Sequence, residues 1–364
     1  GYLDQQGIIK TSDTRRTSCS LNLNQKMLND KLNVEANVKA SETKDTYNGA
    51  SVYEMYSMAP SQPVYDTSKF PTYGGFWEWS NVPLGTKNPV ANNTMTRSQG
   101  VLYRGIGNVR FNYNFEDLVP GLKADLNLAA DVTSGIRNFF QPTNLRAQAV
   151  QSFPGTTQAE NTLRINKLLE FYLNYTKDIA SLDGKVDVTA GYSWQNFNAT
   201  TNGYTGNGLT DNAYGFYNPS VATGQKFLYA SNNENRLISF FGRVNFSMKD
   251  KYLLTVNLRN DGSTRFGPST RWGFFPSAAL GWRIYDEDFF AGLQDVFSDF
   301  KFRVGYGVTG NLEIPNYGYI PVFRPTNGFA EYPFGTKYVS PIRPNAVDPN
   351  LKWEETTSLN VDIN

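Results

Sequence analysis

The sequence predicts an all-β protein: a transmembrane antiparallel β-barrel, with about eleven of its strands in this chain. Three observations carry the prediction. Long stretches alternate apolar and polar residues with period two. The connections between them are alternately short and long. Aromatic residues gather beside the short connections, on the apolar face.

The strands follow in chain order. Leu21 and Leu23 alternate with Ser20, Asn22 and Asn24. Residues 31–41 read KLNVEANVKAS, with Leu32, Val34, Ala36, Val38 and Ala40 on one face and Lys31, Asn33, Glu35, Asn37 and Lys39 on the other. The short KMLND joins these two as a hairpin. Residues 101–115 place Val101, Tyr103, Val109, Phe111, Tyr113 and Phe115 opposite Arg104, Asn108, Arg110, Asn112 and Asn114. A VPG turn follows, and Leu122, Ala124, Leu126, Leu128, Ala130 and Val132 then oppose Lys123, Asp125, Asn127 and Asp131. Further strands are predicted at 163–176, 185–197, 236–248, 251–261, 273–285, 300–309 and 353–364.

Long loops are predicted at 44–99, 135–161, 198–234 and 310–351, on the side that faces outward in outer-membrane barrels. On the short-turn side only YDEDFFAGL, near 285–293, breaks the rule, and it suits one turn of helix. Phe111, Tyr113, Phe115, Tyr175, Phe246, Trp282 and Phe300 form the expected interfacial girdle. The strands exceed the roughly 9–11 residues that cross a bilayer at a tilt. A soluble β-sandwich also alternates, but its strands are usually about 5–6 residues. Its second face has no reason to be this rich in Asn, Asp, Arg and Thr.

Composition narrows the chemistry. The 364 residues carry a net charge of +1, which gives no basic stripe for nucleic acid. There is no His, so the usual general base and commonest metal ligand are missing. Cys19 is the only cysteine, a small filler on the face of Leu21 and Leu23. No nucleophile–base pair, metal cluster or cofactor motif stands out, so an enzyme is not expected. No apolar run reaches about 18 residues, and half-polar barrel strands do not need one. The last residues, TSLNVDIN, are still alternating. A barrel must close and bacterial single-chain barrels have even strand numbers, so the expectation is a piece of a longer chain.

KYLLTVNLRNDGSTRFGPSTRWGFFPSAALGWRI at 251–284 resembles a signature region of the SusC/RagA family of TonB-dependent outer-membrane transporters of Bacteroidota. VGYGVTGNLEIPNYGY at 304–319, DPNLKWEETTSLNVDI at 348–363 and the opening GYLDQQGIIKTSDTRRTSCSLNLNQK are similar to that family too. The resemblance implies a 22-stranded barrel, of which this chain supplies half, plugged by an N-terminal domain that lies outside this sequence. It also implies a SusD-like surface lipoprotein as lid, coupling to TonB through the plug, and a dimer of transporter–lipoprotein pairs. The implied function is active import of a bulky nutrient, a glycan or a peptide. A passive porin and a cell-surface binding or adhesion protein are the competing readings.

Candidate site residues fall in two groups. Phe76, Trp77 and Trp79 of YGGFWEWSNVP, with Tyr204, Tyr214 and Tyr217 of NGYTGNGLTDNAYGFYNPS, are candidates for ligand or lid contact, since exposed aromatics stack on sugars and anchor partners. The bland reading is that these rings pack their own loops. Arg104, Arg110, Asp125, Asp131, Arg243, Arg259, Lys301 and Arg303 are expected to face the lumen or the plug. They equally suit a solvated interior. DGSTRFGPSTRWG, at 261–273, is read first as a folded loop that fixes its hairpin. Asp211 and its Asn neighbours match no calcium-loop spacing, and GYGVTGN lacks the helix and Lys of a phosphate loop.

Overall fold

A computed structural model describes residues 1–79, 85–224, 226–293, 295–325, 331–340, 342–345, 347–348 and 350–364. Its main feature is one antiparallel sheet of twelve strands in consecutive order. These are β1 (Tyr2–Gln6), β2 (Asp13–Met27), β3 (Leu32–Tyr47), β4 (Arg97–Asn114), β5 (Leu122–Gln141), β6 (Thr156–Ile179), β7 (Gly184–Asn207), β8 (Lys226–Met248), β9 (Tyr252–Ser263), β10 (Trp272–Arg283), β11 (Lys301–Asn311) and, past the last long connection, β16 (Glu354–Ile363). That connection carries two small ribbons, β12 (Phe323–Pro325) with β15 (Ile342–Pro344), and β13 (Tyr332–Phe334) with β14 (Lys337–Val339). Three short helices, α1 (Val52–Ser57), α2 (Pro89–Met95) and α3 (Arg146–Ala149), lie in the earlier loops.

All eleven expected strands are present, and β1 makes a twelfth. Alternation missed it because Tyr2 and Leu3 are adjacent and Asp4, Gln5 and Gln6 are all polar. β1 and β16 lie at the two ends of the order and are not paired with each other, so the sheet is not closed. No second sheet of comparable size faces it among the described residues, which removes the sandwich.

Register fixes the two faces. One row of partners reads Val34, Phe111, Leu126, Phe171, Tyr192, Phe240, Asn260, Phe274. The adjacent row reads Asn33, Asn112, Asp125, Tyr172, Gly191, Phe241, Arg259, Phe275. Side chains alternate along each strand, so the first row lies on one face and the second on the other. Leu21, Leu23, Leu128, Phe171, Leu258 and Leu280 of the apolar face are all exposed, as in a sheet whose apolar face meets lipid. Gly191 sits where a Cβ would collide with the Phe241 ring and Tyr172.

Two of the loops are much shorter than alternation predicts. β5 runs to Gln141 and β6 begins at Thr156, so 142–155 replaces the expected 135–161. Between β7 and β8 the loop is 208–225 rather than 198–234. The ladder continues where the apolar pattern stops, because backbone pairing does not require an apolar face. At the other end the turns are tight. Lys249 and Asp250 both have positive φ at the centre of a tight turn closed by the Lys251 N–H on the Met248 carbonyl, so three residues reverse the chain between β8 and β9. On that side, between β10 and β11, Ile284–Asp286 and Asp288–Leu293 form 3-10 turns rather than an α-helix.

Candidate functional site: the polar face and the long-loop rim

The strands line up paired polar groups on one face. Arg104 grips Asp131 with two bonds, Nε–Oδ1 at 3.0 Å and Nη2–Oδ2 at 2.8 Å. Arg110 donates to Asp125 at 2.7 Å and to the Tyr172 hydroxyl at 2.8 Å, while Asn112 donates to the other Asp125 oxygen at 2.7 Å. Arg259 bridges Asp261 and Ser239, both at 2.8 Å, and Arg243 donates to Asn257 at 2.5 Å. Lys301 pairs with Asp299 at 2.8 Å. Arg303 stands in register with Gly281 and Asp362. Between the charges runs a ladder of amides: Asn37 to Asn108, Asn108 to Asn127, then Asn127 to Glu170.

By register, all eight sequence-predicted charges lie on this face. Two of its concavities are the most spacious described on it. One, about 450 Å³, lies over β3 to β6 and is lined by Tyr47, Arg104, Asp131, Arg137, Glu160 and Arg164. The other, about 630 Å³, lies over β7 to β11, with Phe241, Arg259, Asp261 and Phe275 in its wall. Both mix cationic, anionic and aromatic groups rather than one charge sign.

The long-loop rim is built on small cores. In residues 48–96 the hub is Asn88, itself only 2% exposed. Its side-chain oxygen accepts from Val90 and Ala91 and so caps α2, with Pro89 in the first turn. Its side-chain nitrogen donates to the carbonyls of Val64 and Trp77, and its backbone N–H donates to Glu78. Burial pushes the Glu78 carboxyl up, and that backbone bond pulls it partly back. Ser51 and Glu54 form a capping box on α1.

The aromatic candidates separate in this frame. Phe76 is buried with Ala91 and Leu145, so its ring holds the loop together. Trp77 and Trp79 are half-buried, their rings edge-on at 4.8 Å. Tyr204 pairs in register with Ala159 and Leu228, on the face opposite the paired charges. Tyr214 and Tyr217 are exposed, Tyr217 at 80%, beside a core of Phe140, Leu209, Phe216 and Ala222. Asp211 accepts from the Ala213 N–H and caps a 3-10 turn.

The 261–273 loop is locked in place. Phe266 is fully buried against Trp353, the Trp353 indole donates to the Arg271 carbonyl, and Arg265 reaches the Leu312 carbonyl. Sequence reading missed the Asn88–Glu78 hub. Its signal was Asn-Pro, a helix cap followed by proline at the first helical position.

Comparison with known proteins agrees with this geometry. The family model described as TonB dependent receptor-like, beta-barrel matches residues 26–364. The TonB-dependent receptor SusC of Bacteroides thetaiotaomicron is 32% identical over 382 residues, an alignment covering 100% of this chain and 37% of that protein. A TonB-dependent receptor of Formosa agariphila is 29% identical over 369 residues, covering 100% of this chain and 35% of its own length. The chain thus spans little more than a third of the curated relatives it matches. Among solved structures, the RagAB peptide importer in its open-open state superposes with a TM-score of 0.78 at 19% identity, covering 100% of this chain and 39% of that one. The ferric-catecholate import receptor Fiu of E. coli matches with a TM-score of 0.53 at 10% identity, covering 100% of this chain and 50% of that one. The chain belongs to the TonB-dependent receptor-like β-barrel family.

Proposed function

We propose that this chain forms part of the wall of a plugged barrel, the implied 22-stranded one, that imports a bulky polar nutrient, a glycan or a peptide, with energy supplied through TonB. A SusD-like lipoprotein covers the long-loop rim, which faces the cell exterior. The carrying observation is the polar face: ion pairs and amide ladders run its length, yet it keeps concavities with groups of both signs. Such a wall suits a plug and a passing neutral cargo. Plugged lumens are also a feature of 22-stranded barrels.

In the proposal, Tyr214 and Tyr217 meet the lid or the ligand, while Phe76, Trp77 and Trp79 support the rim from within. Tyr204 contributes from the outer side of the wall. The paired charges, with Arg243, Lys301 and Arg303, face the plug. In cells carrying the full-length transporter, removal of TonB is expected to abolish uptake of the cargo. Uptake that persists identifies a passive porin instead. Tyr214→Ala with Tyr217→Ala is expected to weaken lipoprotein capture at least several-fold while heat-resistant barrel assembly stays normal. Unaltered capture removes these two residues from the lid interface.

A further inference from the structure

Residues 284–300 join β10 to β11 at the short-turn end, where the β8–β9 connection needs only Lys249 to Lys251. The segment has a fastened side and an unfastened side. Arg283 pairs with Asp286 at 3.3 Å, Lys251 with Glu287 at 3.5 Å, and Lys301 with Asp299 at 2.8 Å. Glu287 also accepts from the Trp282 indole at 3.0 Å and the Tyr252 hydroxyl at 2.7 Å. Phe290 is buried, stacked on Phe300 at 5.1 Å. These charged groups are thus drawn back onto the sheet, while Asp288 and Asp295 stay exposed.

Other apolar groups of the segment stay exposed: Phe289 at 70% and Val296 at 74%, with Leu293, and with Phe297, whose ring also packs 6.0 Å from Phe290 and 5.8 Å from Phe300. Direction comes from Trp282. It stands in register with Tyr252 and Phe302, two residues along from Leu280 and Leu254, on the lipid face. The Phe289 ring lies 6.1 Å from it. An apolar groove of about 430 Å³, lined by Phe246, Tyr252, Leu254, Leu280, Trp282 and Phe302, runs beside it.

We propose that residues 284–300 are an interfacial foot, which seats Phe289, Leu293, Val296 and Phe297 among the phospholipids of the leaflet at the short-turn end. Continuity with the apolar band names the occupant. The foot begins at a lipid-facing Trp–Tyr pair, and aromatic rings with a polar tip sit at the headgroup level. Exposed apolar residues on a short, charge-fastened segment bind a membrane surface by burial at the acyl boundary. Short turns in outer-membrane barrels face the periplasm, so the leaflet is the inner one. The inference rests on the barrel fold and is independent of cargo, plug and lid.

The test uses the full-length transporter in phosphatidylethanolamine–phosphatidylglycerol nanodiscs, in a Cys19→Ser background with any other thiols removed. A nitroxide is placed at Phe289→Cys, at Val296→Cys, and at Asp250→Cys as the aqueous short-turn control. Collision rates with oxygen and with a water-soluble nickel complex are read by power saturation. The oxygen-to-nickel ratio at 289 and 296 is expected to be several-fold above that at 250. A ratio equal to that at 250 overturns the proposal. Protection from both reagents overturns it too, because that outcome places the segment against protein. If either label blocks assembly, Leu293→Cys takes its place and is judged by the same ratios. Loss of TonB-dependent uptake does not bear on this readout, so the two conclusions fail separately.

Discussion

At the short-turn rim Lys249, Asp250 and Lys251 suffice to reverse the chain, whereas at the long-loop rim residues 48–79 and 85–96 fold around Asn88 and Glu78. The first connection is held by the ladder on either side and by backbone conformation. The second has its own core, caps and buried polar hub. A loop that builds a core can hold a fixed shape, and a fixed shape is what a partner or lid can recognise. Order at the long-loop end is therefore local and separable from the barrel wall. Order at the short-turn end belongs to the wall itself.

The largest test of that contrast is Asn88→Ala. It removes a helix cap worth about 1 kcal/mol and two side-chain bonds to buried carbonyls of about 1 kcal/mol each. The expected loss, about 2–4 kcal/mol, falls on the loop. Limited proteolysis of the full-length transporter should cut within 48–96 while the barrel keeps its heat-resistant migration. Loss of both together shows that rim and wall are one unit.

Glu78→Gln sharpens the same point through pH. The folded-state pKa of Glu78 is raised, so the folded loop favours the protonated form. At neutral pH the loop therefore bears the cost of a buried charge. As pH falls through the raised value that cost disappears, and below the ordinary Glu pKa of about 4.3 no further gain remains. Protease resistance of the loop should rise several-fold on mild acidification. The Gln variant, which still accepts the Asn88 N–H, should show that resistance already at pH 7 and lose the pH dependence.

The smallest effect is expected from Asp250→Gly. Asp250 adopts φ 50, a left-handed conformation that costs a side-chain-bearing residue about 1 kcal/mol. Relief of that strain is offset by the greater freedom of glycine in the unfolded chain, so stability should change by less than about 1 kcal/mol. A larger change in the urea midpoint means that this turn holds more than the backbone.

Much of the fold was legible because lipid imposes a strict pattern. Leu122 to Val132 alternate cleanly, and the ladder follows them residue for residue. Legibility ended where water replaced lipid. Beyond Val132, β5 continues through Thr133, Ser134 and Arg137, and β1 pairs through Asp4, Gln5 and Gln6. The eight polar-face charges were readable from parity alone. Their partners were not, because Arg110 reaches Tyr172 two strands away and no local spacing encodes that. The rim aromatics were flagged by type, yet only packing separates the buried Phe76 from the exposed Tyr217.

The length of β6 and β7 has a mechanical consequence. Each has 24 residues, about 80 Å of strand at ~3.3 Å per residue. Tilted by about 40°, that is roughly 60 Å of height, against an apolar belt of about 25 Å. More than half of the height of these two strands therefore lies outside the apolar belt, like the collar of a well. The loop between β5 and β6 and the loop between β7 and β8 are thus carried well beyond the hydrocarbon, on scaffolding stiffened by continuous backbone pairing rather than by lipid pressure.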